Sequence, residues 1–141
     1  MKKLLVVVFV ALLMVGCGDP SLDEPVLFKD ANLEAAVREH LKKPEGVITR
    51  KDMASLEQLS AIGVEHFGAI GAMESGITDL SGLQYAINLK GLDLKWNQIT
   101  DLAPLSKLTD LKWMILLGNP IPDDQKAMLK KALPDCDIHF D

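Results

Sequence analysis

Apolar side chains recur every 22 residues through the second half of this chain. The two clearest units share six positions, Leu89, Leu92, Leu94, Asn97, Ile99 and Asp101, which return as Leu111, Met114, Leu116, Asn119, Ile121 and Asp123. One period earlier the same positions are Phe67, Ile70, Ala72, Ser75, Ile77 and Asp79. Self-similarity at such a period indicates stacked structural repeats. The pattern therefore predicts a short solenoid of about three repeats.

Each unit predicts a short strand, a turn and a return arm. Apolar and polar residues alternate over residues 92–94, so the leucines face inward and Asp93 faces outward. The asparagine is predicted to turn the chain and to bond backbone groups that the turn leaves unpaired. The aspartate is predicted to cap a helical turn at the start of the return arm. These structural repeat positions are Ser75, Asn97 and Asn119, and Asp79, Asp101 and Asp123.

Such an array needs caps, because its end units cannot bury their apolar faces alone. Upstream, residues 28–43 predict an amphipathic helix with Asp30 as its N-cap. Its apolar face consists of Leu33, Val37 and Leu41. The segment Thr49–Asp52 predicts a capping-box start for a second short helix. Residues 56–61 then predict a cap strand that precedes the first repeat strand at residues 67–72.

Downstream of the repeats, the pattern predicts a helix and a closing strand. The helix begins at Asp123 and ends before Pro134, and its apolar side consists of Ala127, Met128 and Leu129. Cys136, Ile138 and Phe140 then alternate with polar residues, which predicts a final strand. Cys136 is interpreted as a core residue rather than as a reactive thiol.

The pattern L-x-x-L-x-L-x-x-N-x-I-x-D-L-x-x-L-x-x-L is that of a leucine-rich repeat, and its 22-residue form resembles the internalin group of bacterial surface proteins. The flanking sequences FKDANLEAAVREHL and LKKALPDCDIHF resemble the caps of secreted bacterial leucine-rich repeat proteins. The resemblance covers residues 28–140. It implies an α/β repeat fold, a short leucine-rich repeat solenoid with an N-terminal helical cap and a C-terminal helix–strand cap.

The N-terminus has the layout of a secretory signal. Lys2 and Lys3 precede an apolar run that is too short to span a bilayer comfortably. The segment Met14–Cys17 resembles a bacterial lipobox, which implies cleavage before Cys17 and acylation of that cysteine, for example with palmitate. Residues 17–27 then predict a tether. The expected location is extracytoplasmic, as a membrane-anchored lipoprotein of the cell envelope; a plain signal peptide with an incidental cysteine is the alternative.

Five segments follow from these boundaries: a lipoprotein signal peptide (1–16), a tether (17–27), an N-terminal cap (28–66), the leucine-rich repeats (67–122) and a C-terminal cap (123–141). Setting the signal aside changes the composition, since the formal net charge moves from −5 to −7 when its two lysines are removed. This acidic balance argues against a sequence-independent grip on nucleic acid. Two cysteines are too few for a zinc site built from three or four cysteines.

No residue pattern predicts catalysis or a metal site. The three histidines, His40, His66 and His139, fall in different elements and have no H-E-x-x-H spacing. The nucleophile motif G-x-S-x-G is missing from the sequence. The acidic pairs Asp123–Asp124 and Asp135/Asp137 are interpreted as helix caps and exposed strand positions rather than as calcium ligands. We therefore expect a protein that is not an enzyme and that has no cofactor and no metal.

The remaining candidate is the surface that we call the concave face, formed by the outward side chains of the strands. Its candidate binding residues are Met73 on the first repeat strand, Asp93, Lys95 and Trp96 on the next, and Trp113, Ile115 and Leu117 on the last. Three successive large apolar residues in outward positions are typical of a binding hot spot. The alternative is that neighbouring elements or a second copy cover this face.

Three functions are consistent with these features. The leading hypothesis is a lipid-anchored, non-catalytic module that binds a protein or glycan partner at the bacterial envelope. The second is a structural or weakly self-associating envelope protein that uses the same apolar face. The third, a small envelope hydrolase, has no sequence motif in its favour.

Overall fold

Short parallel strands stack in chain order to form the sheet of this protein. The computed structural model describes residues 20–63 and 76–141. Its strands are β1 (Gln58–Ser60), β2 (Gly91–Asp93), β3 (Trp113–Ile115) and β4 (Asp137–His139), hydrogen-bonded in the order β1-β2-β3-β4. The register aligns Leu59, Leu92, Met114 and Ile138 across the sheet. Strand order that follows chain order is the arrangement expected of a solenoid.

The pairing of β1 with β2 corrects the position predicted for the first repeat strand. The sequence pattern placed a strand at residues 67–72 between these two, but Leu59 lies directly opposite Leu92. The pattern L-x-x-L-x-A occurs both at residues 56–61 and 11 residues later, so either segment could supply the strand beside β2. The strand that pairs with β2 comes from the first segment, residues 56–61. The predicted strand itself falls within residues 64–75, outside the described residues.

The inward positions of the repeats form the core, as predicted. Leu92, Leu94, Ile99, Leu102 and Leu105 are completely shielded from water. Burying such a side chain contributes about 1.5 to 3 kcal/mol relative to leaving it exposed. The return arms consist of single 3₁₀ turns, at Leu83–Tyr85 and Ala103–Leu105, which pack against each other on the side opposite the outward strand residues.

The N-terminal cap has the two predicted helices, α1 (Ala31–Leu41) and α2 (Arg50–Ala54). Asp30 is the N-cap of α1, as predicted, and Leu33 and Val37 lie on the buried face of that helix. The predicted capping box of α2 is also confirmed. The Thr49 N–H donates to Asp52 Oδ2 at 2.8 Å, and the Asp52 N–H donates to Thr49 Oγ1 at 3.3 Å.

Part of the segment predicted as a tether, residues 17–27, belongs to this cap. The Val26 N–H donates to the Ile48 carbonyl at 2.8 Å, and the Arg50 N–H donates to the Glu24 carbonyl at 3.0 Å. The Glu24 carboxylate also pairs with the Arg50 guanidinium at 2.6 Å. Val26 is buried, and this apolar anchor explains why a segment rich in proline and acidic residues is ordered here.

The C-terminal cap consists of α3 (Asp123–Ala132) followed by β4, as predicted. Asp123 begins the helix, but Pro122 is the N-cap residue and no side chain caps this end. Asp123 therefore lies within the first turn, where its negative charge stabilises the helix by interacting with the helix dipole and makes no capping hydrogen bond. Cys136, Ile138 and Phe140 pack half-buried against the core.

Two asparagines satisfy the backbone at the point where each strand turns, as predicted. The Asn97 amide donates to the carbonyls of Ala61, Leu94 and Lys95 at 2.8 to 3.2 Å, and its oxygen accepts from the Ile77 N–H at 2.9 Å. Asn119 repeats the arrangement one unit later with its own neighbours. Each amide therefore ties one turn to the preceding repeat, and both residues are buried. Ser75, the equivalent position one unit earlier, lies outside the described residues.

Aspartates hold the first turn of each return arm. Asp79 Oδ1 accepts from the Ser81 N–H at 2.8 Å, and Asp101 Oδ1 accepts from the Ala103 N–H at 2.9 Å. The residues that directly precede the two 3₁₀ turns are Gly82 and Leu102, and no side chain caps either turn, so the aspartates form Asx turns instead of helix N-caps. The aspartate of the repeat motif therefore starts the return arm as a turn residue.

Asp30 joins the N-terminal cap to the first return arm. One carboxylate oxygen accepts from the N–H groups of Asn32 and Leu33, while the other accepts from the N–H groups of Thr78 and Asp79. Burial by itself raises the pKa of this carboxyl and is the largest single influence on it. The four backbone donors together outweigh burial, and the pKa of Asp30 lies below its usual value.

We expect Asn97→Ala to lower the free energy of unfolding by about 3 kcal/mol, because it leaves a buried N–H and several carbonyls without partners. Asn88→Ala is the matched control. The Asn88 side chain is exposed and makes one hydrogen bond, to the Ala54 carbonyl, so the expected loss is about 1 kcal/mol or less. Urea unfolding followed by circular dichroism measures both. Equal losses in the two variants would contradict the role assigned to Asn97.

We expect Asp30→Asn to destabilise the protein strongly at pH 7 and much less at pH 3. Because the pKa of Asp30 is lower in the folded state than in the unfolded state, its contribution is complete above about pH 4 and is lost as the pH falls towards the folded-state value. Urea unfolding at a series of pH values gives the difference in the free energy of unfolding between wild type and variant. Asp110→Asn, at an exposed position, is the control, and its free energy of unfolding should equal that of wild type at every pH.

Candidate functional site

The register of the sheet arranges the outward side chains of the concave face in two rows. One row consists of Gln58, Gly91, Trp113 and Asp137. The next consists of Ser60, Asp93, Ile115 and His139. Lys95, Trp96 and Leu117 continue the face beyond the ends of β2 and β3, where the Trp96 N–H donates to the Leu117 carbonyl at 2.9 Å.

The strand β3 places a column of apolar side chains at the centre of this face. Met114 and Leu116 are buried, and the alternating Trp113, Ile115 and Leu117 therefore point outward, as predicted. Trp113 is 37% exposed, while Ile115 and Leu117 are half-buried. The column is thus accessible, but neighbouring side chains shield part of it.

The indole of Trp113 lies on a glycine of the neighbouring strand. A methyl group built on Gly91 would overlap two indole carbons and would stand 2.8 Å from Nε1. These three atoms are consecutive, so this part of the indole occupies the space that a side chain at position 91 would fill. The ring is therefore packed here against the neighbouring strand, and the rest of it contributes to the exposed surface.

A second pair of the same kind runs in the opposite direction. The ring of Trp96, which follows β2, lies on Gly118, which follows β3, and a methyl group on Gly118 would stand 2.7 Å from Cζ3. Both residues have left-handed backbone conformations, with φ of 60° and 71°. This conformation costs a tryptophan on the order of 1 kcal/mol, which the packing of the ring offsets. Trp96 is also 37% exposed.

These two tryptophan–glycine pairs were not predicted from the sequence, although the alignment of the repeats contains the signal. Gly91 and Trp113 occupy one position of the 22-residue unit, and Trp96 and Gly118 occupy another. A large ring in one repeat therefore stands beside a residue without a side chain in the adjacent repeat. Neighbouring backbone thus covers part of each candidate anchor.

The charged candidates on β2 pair with each other. Lys95 Nζ lies 3.3 Å from Asp93 Oδ2, and the Lys95 N–H donates to Asp93 Oδ1 at 3.2 Å. On β4, His139 Nε2 lies 3.2 Å from Asp137 Oδ2. The Asp93–Lys95 pair is half-buried, whereas the Asp137–His139 contact is exposed, and an exposed contact of this kind contributes at most about 1 kcal/mol. Polar side chains thus lie beside Ile115 on both neighbouring strands.

Three further features bear on chemistry. Burial, and secondarily the carboxylate of Asp137, raises the pKa of the Cys136 thiol, which makes it less reactive.

Within residues 20–63 and 76–141, no group of three or more histidine, cysteine, aspartate or glutamate side chains could hold a metal ion. No helix in those ranges is long and apolar enough to cross a membrane. Two other predicted site residues, Cys17 and Met73, lie outside the described residues.

Comparison with known proteins agrees with this fold. No protein-family model matches the chain. An internalin (inlF) from Listeria monocytogenes superposes with a TM-score of 0.68 and 26% identity, over 84% of this chain and 33% of that one. Internalin C2 of the same species gives a TM-score of 0.63 and 33% identity, over 80% of this chain and 48% of that one.

A curated relative points the same way. "Leucine-rich repeat-containing protein 56" of Mus musculus is 34% identical over 71 residues, which are 50% of this chain and 13% of that protein. The chain therefore spans less than half the length of these relatives. The fold is that of a short leucine-rich repeat array similar to those of the internalins, which agrees with the resemblance found in the sequence.

We expect Gly91→Ala to lift the Trp113 ring from the sheet, because the new methyl group would occupy the place of the indole. In a Trp96→Phe background, Trp113 is the one remaining tryptophan. Its fluorescence should shift to longer wavelength and become more accessible to acrylamide, with a loss of about 1 to 3 kcal/mol in unfolding free energy. Ser60→Ala, at an exposed position of the next row, is the control and should leave the emission unchanged. An unaltered spectrum in Gly91→Ala would show that the ring does not rest on this glycine.

Proposed function

We propose that this protein is a lipid-anchored, non-catalytic recognition module that binds a protein partner at the bacterial envelope through its concave face. The fold supports the general class, because short leucine-rich repeat arrays present a row of outward side chains on a rigid sheet. Sites on strands are held more precisely than sites on loops. The buried leucines and the asparagine turns hold the face in place, and the outward residues are left for contact.

The observation that carries the proposal is the apolar column formed by Trp113 and Ile115 on β3 and by Leu117 just beyond it. Asp137 and His139 flank this column on β4, and Gly91 and Asp93 flank it on β2. An apolar centre with a polar rim is the anatomy of a protein-binding patch. Tryptophan is enriched among residues whose truncation costs most binding energy.

The Trp113 ring is also suited to serve as an anchor. Its contact with Gly91 restricts the position of the indole, so that little side-chain entropy is lost when a partner covers its exposed part. Within the described ranges, the indole N–H of Trp113 donates to no protein group. A partner carbonyl can therefore accept from it at the edge of the contact.

The membrane anchor rests on the signal layout and on Cys17. Each buried methylene of an acyl chain contributes about 0.8 kcal/mol, so a multiply acylated cysteine holds a domain at a membrane surface. Confinement to a membrane raises the effective concentration of the module near an envelope partner. A small face with modest affinity is then sufficient for recognition.

A structural role is the second candidate, in which two copies bury the same apolar column against each other. The partial exposure of Trp113 favours it as well, since a second copy would cover the same ring. The mass of the product formed at this face distinguishes a foreign partner from a second copy.

We expect a photo-crosslinking amino acid at position 115 to capture a discrete partner in the native envelope. Trp113→Ala should reduce that product at least tenfold, because it removes the proposed anchor. The same amino acid at Lys107, an exposed residue of the return arm, is the control and should capture nothing at the same mass. Far-ultraviolet circular dichroism of the variant checks that it folds.

Three results bear on the proposal in different ways. A product at twice the mass of the chain would support self-association instead of recognition. Equal products at positions 115 and 107 would contradict a role for the concave face. A Cys17→Ser variant that stays in the membrane fraction would contradict the anchor alone.

A further inference from the structure

The strand β4 lies at one edge of the sheet that the described residues form. Its ladder to β3 uses alternate residues: the Asp137 N–H donates to the Lys112 carbonyl at 2.9 Å, and the His139 carbonyl accepts from the Leu116 N–H at 2.9 Å. In a parallel ladder the residue between them, Ile138, directs its N–H and carbonyl to the opposite side. Within the described residues, no strand pairs with that side. Such an edge is a template for a further strand.

The side chains of β4 divide between the two faces of the sheet. Asp137 and His139 lie on the concave face, and their side chains are 74% and 55% exposed. Cys136, Ile138 and Phe140 lie on the core side and are half-buried, and the ammonium groups of Lys126 and Lys130 lie 5.6 and 5.5 Å from the centre of the Phe140 ring. The edge thus combines free backbone groups with apolar surface that is only partly removed from water.

We propose that two copies of this chain pair through β4, antiparallel, around a two-fold axis at Ile138. The sequence Asp-Ile-His reads His-Ile-Asp in the reverse direction, so the carboxylate and imidazole hydrogen-bonding groups of the strand are complementary to those of a second, antiparallel copy. Pairing at this register places Asp137 opposite the partner's His139, and His139 opposite the partner's Asp137. A two-fold interface must be self-complementary in this way.

The backbone geometry agrees with the same register. Ile138 becomes the residue that exchanges both N–H···O=C bonds with the partner's Ile138, since its polar groups already face outward. The Asp137 and His139 positions become non-hydrogen-bonded pairs, in which opposed side chains approach most closely. On the core side, Ile138 of each copy covers the other, and Cys136 lies opposite the partner's Phe140.

This pairing is independent of the proposed partner contact. It joins the two sheets edge to edge and leaves Trp113, Ile115 and Leu117 of both copies uncovered on one continuous concave face. Two binding surfaces in a fixed arrangement would bind a repeated or elongated partner more tightly than one surface alone. The dimer can therefore form even if the protein recognises no envelope partner, and its test is separate.

Sedimentation velocity of the purified full chain in nonionic detergent, over a range of concentrations, tests the proposal. We expect a dimer whose dissociation constant rises about tenfold in Asp137→His and in His139→Asp, because each change places like side chains opposite each other twice in the interface. The double exchange of both residues restores the complementary order and should return the constant to within about threefold of wild type. Asp124→His, an exposed charge change on α3, is the control and should have no effect.

A backbone variant tests the pairing by another route. Ile138→Pro removes the outward N–H but no hydrogen bond of the β3–β4 ladder, so it should abolish the dimer. It also removes part of the half-buried Ile138 side chain, so a cooperative unfolding transition of the variant is the check that its monomer folds. Ile138→Val keeps that N–H and should remain dimeric. A monomer at every concentration in wild type, or a dimer unaffected by the exchanges and by Ile138→Pro, would overturn the proposal. So would a dimer that is lost in Trp113→Ala while the β4 variants retain it.

Discussion

The need to satisfy backbone groups at each turn governs this structure. Strands of three residues are too short to hold a sheet by themselves, and the chain must reverse immediately after each one. The amides of Asn97 and Asn119 bond the carbonyls that the turn exposes and tie each turn to the repeat before it. Without these amides, buried polar groups would face an apolar core. The leucine core and the regular stacking both depend on this condition.

Features that depend on local sequence and on the repeat period could be predicted from the sequence. The asparagine turns, the Asp30 cap, the Thr49 capping box and the inward leucines all follow from local chemistry and a fixed period. The prediction was wrong about which strand stands beside β2, because the same apolar spacing occurs twice within residues 56–72 and periodicity does not choose between equivalent segments. The hydrogen bonding of residues 24–26 also escaped prediction, since it depends on a segment distant in sequence, residues 48–50.

The candidate site divides in the same way. Alternation along β3 was enough to place Trp113, Ile115 and Leu117 outward, since strand geometry leaves no other choice. The mutual pairing of Asp93 with Lys95 and the support of each indole by a glycine involve contacts along and between strands. The tryptophan–glycine contacts become visible only when residues at equivalent positions of adjacent repeats are compared. For a solenoid, the aligned repeats are therefore a better guide to surface contacts than the linear chain.

The two tryptophan–glycine pairs have a consequence for how this array can change in length. In each pair the ring belongs to one repeat and the bare backbone to its neighbour, so β2 and β3 are complementary rather than equivalent. Inserting a copy of either repeat between them would bring ring against ring at one position and leave a hollow at another. Duplication, the common route by which solenoids lengthen, is therefore blocked at this junction. Growth could proceed only outside this pair.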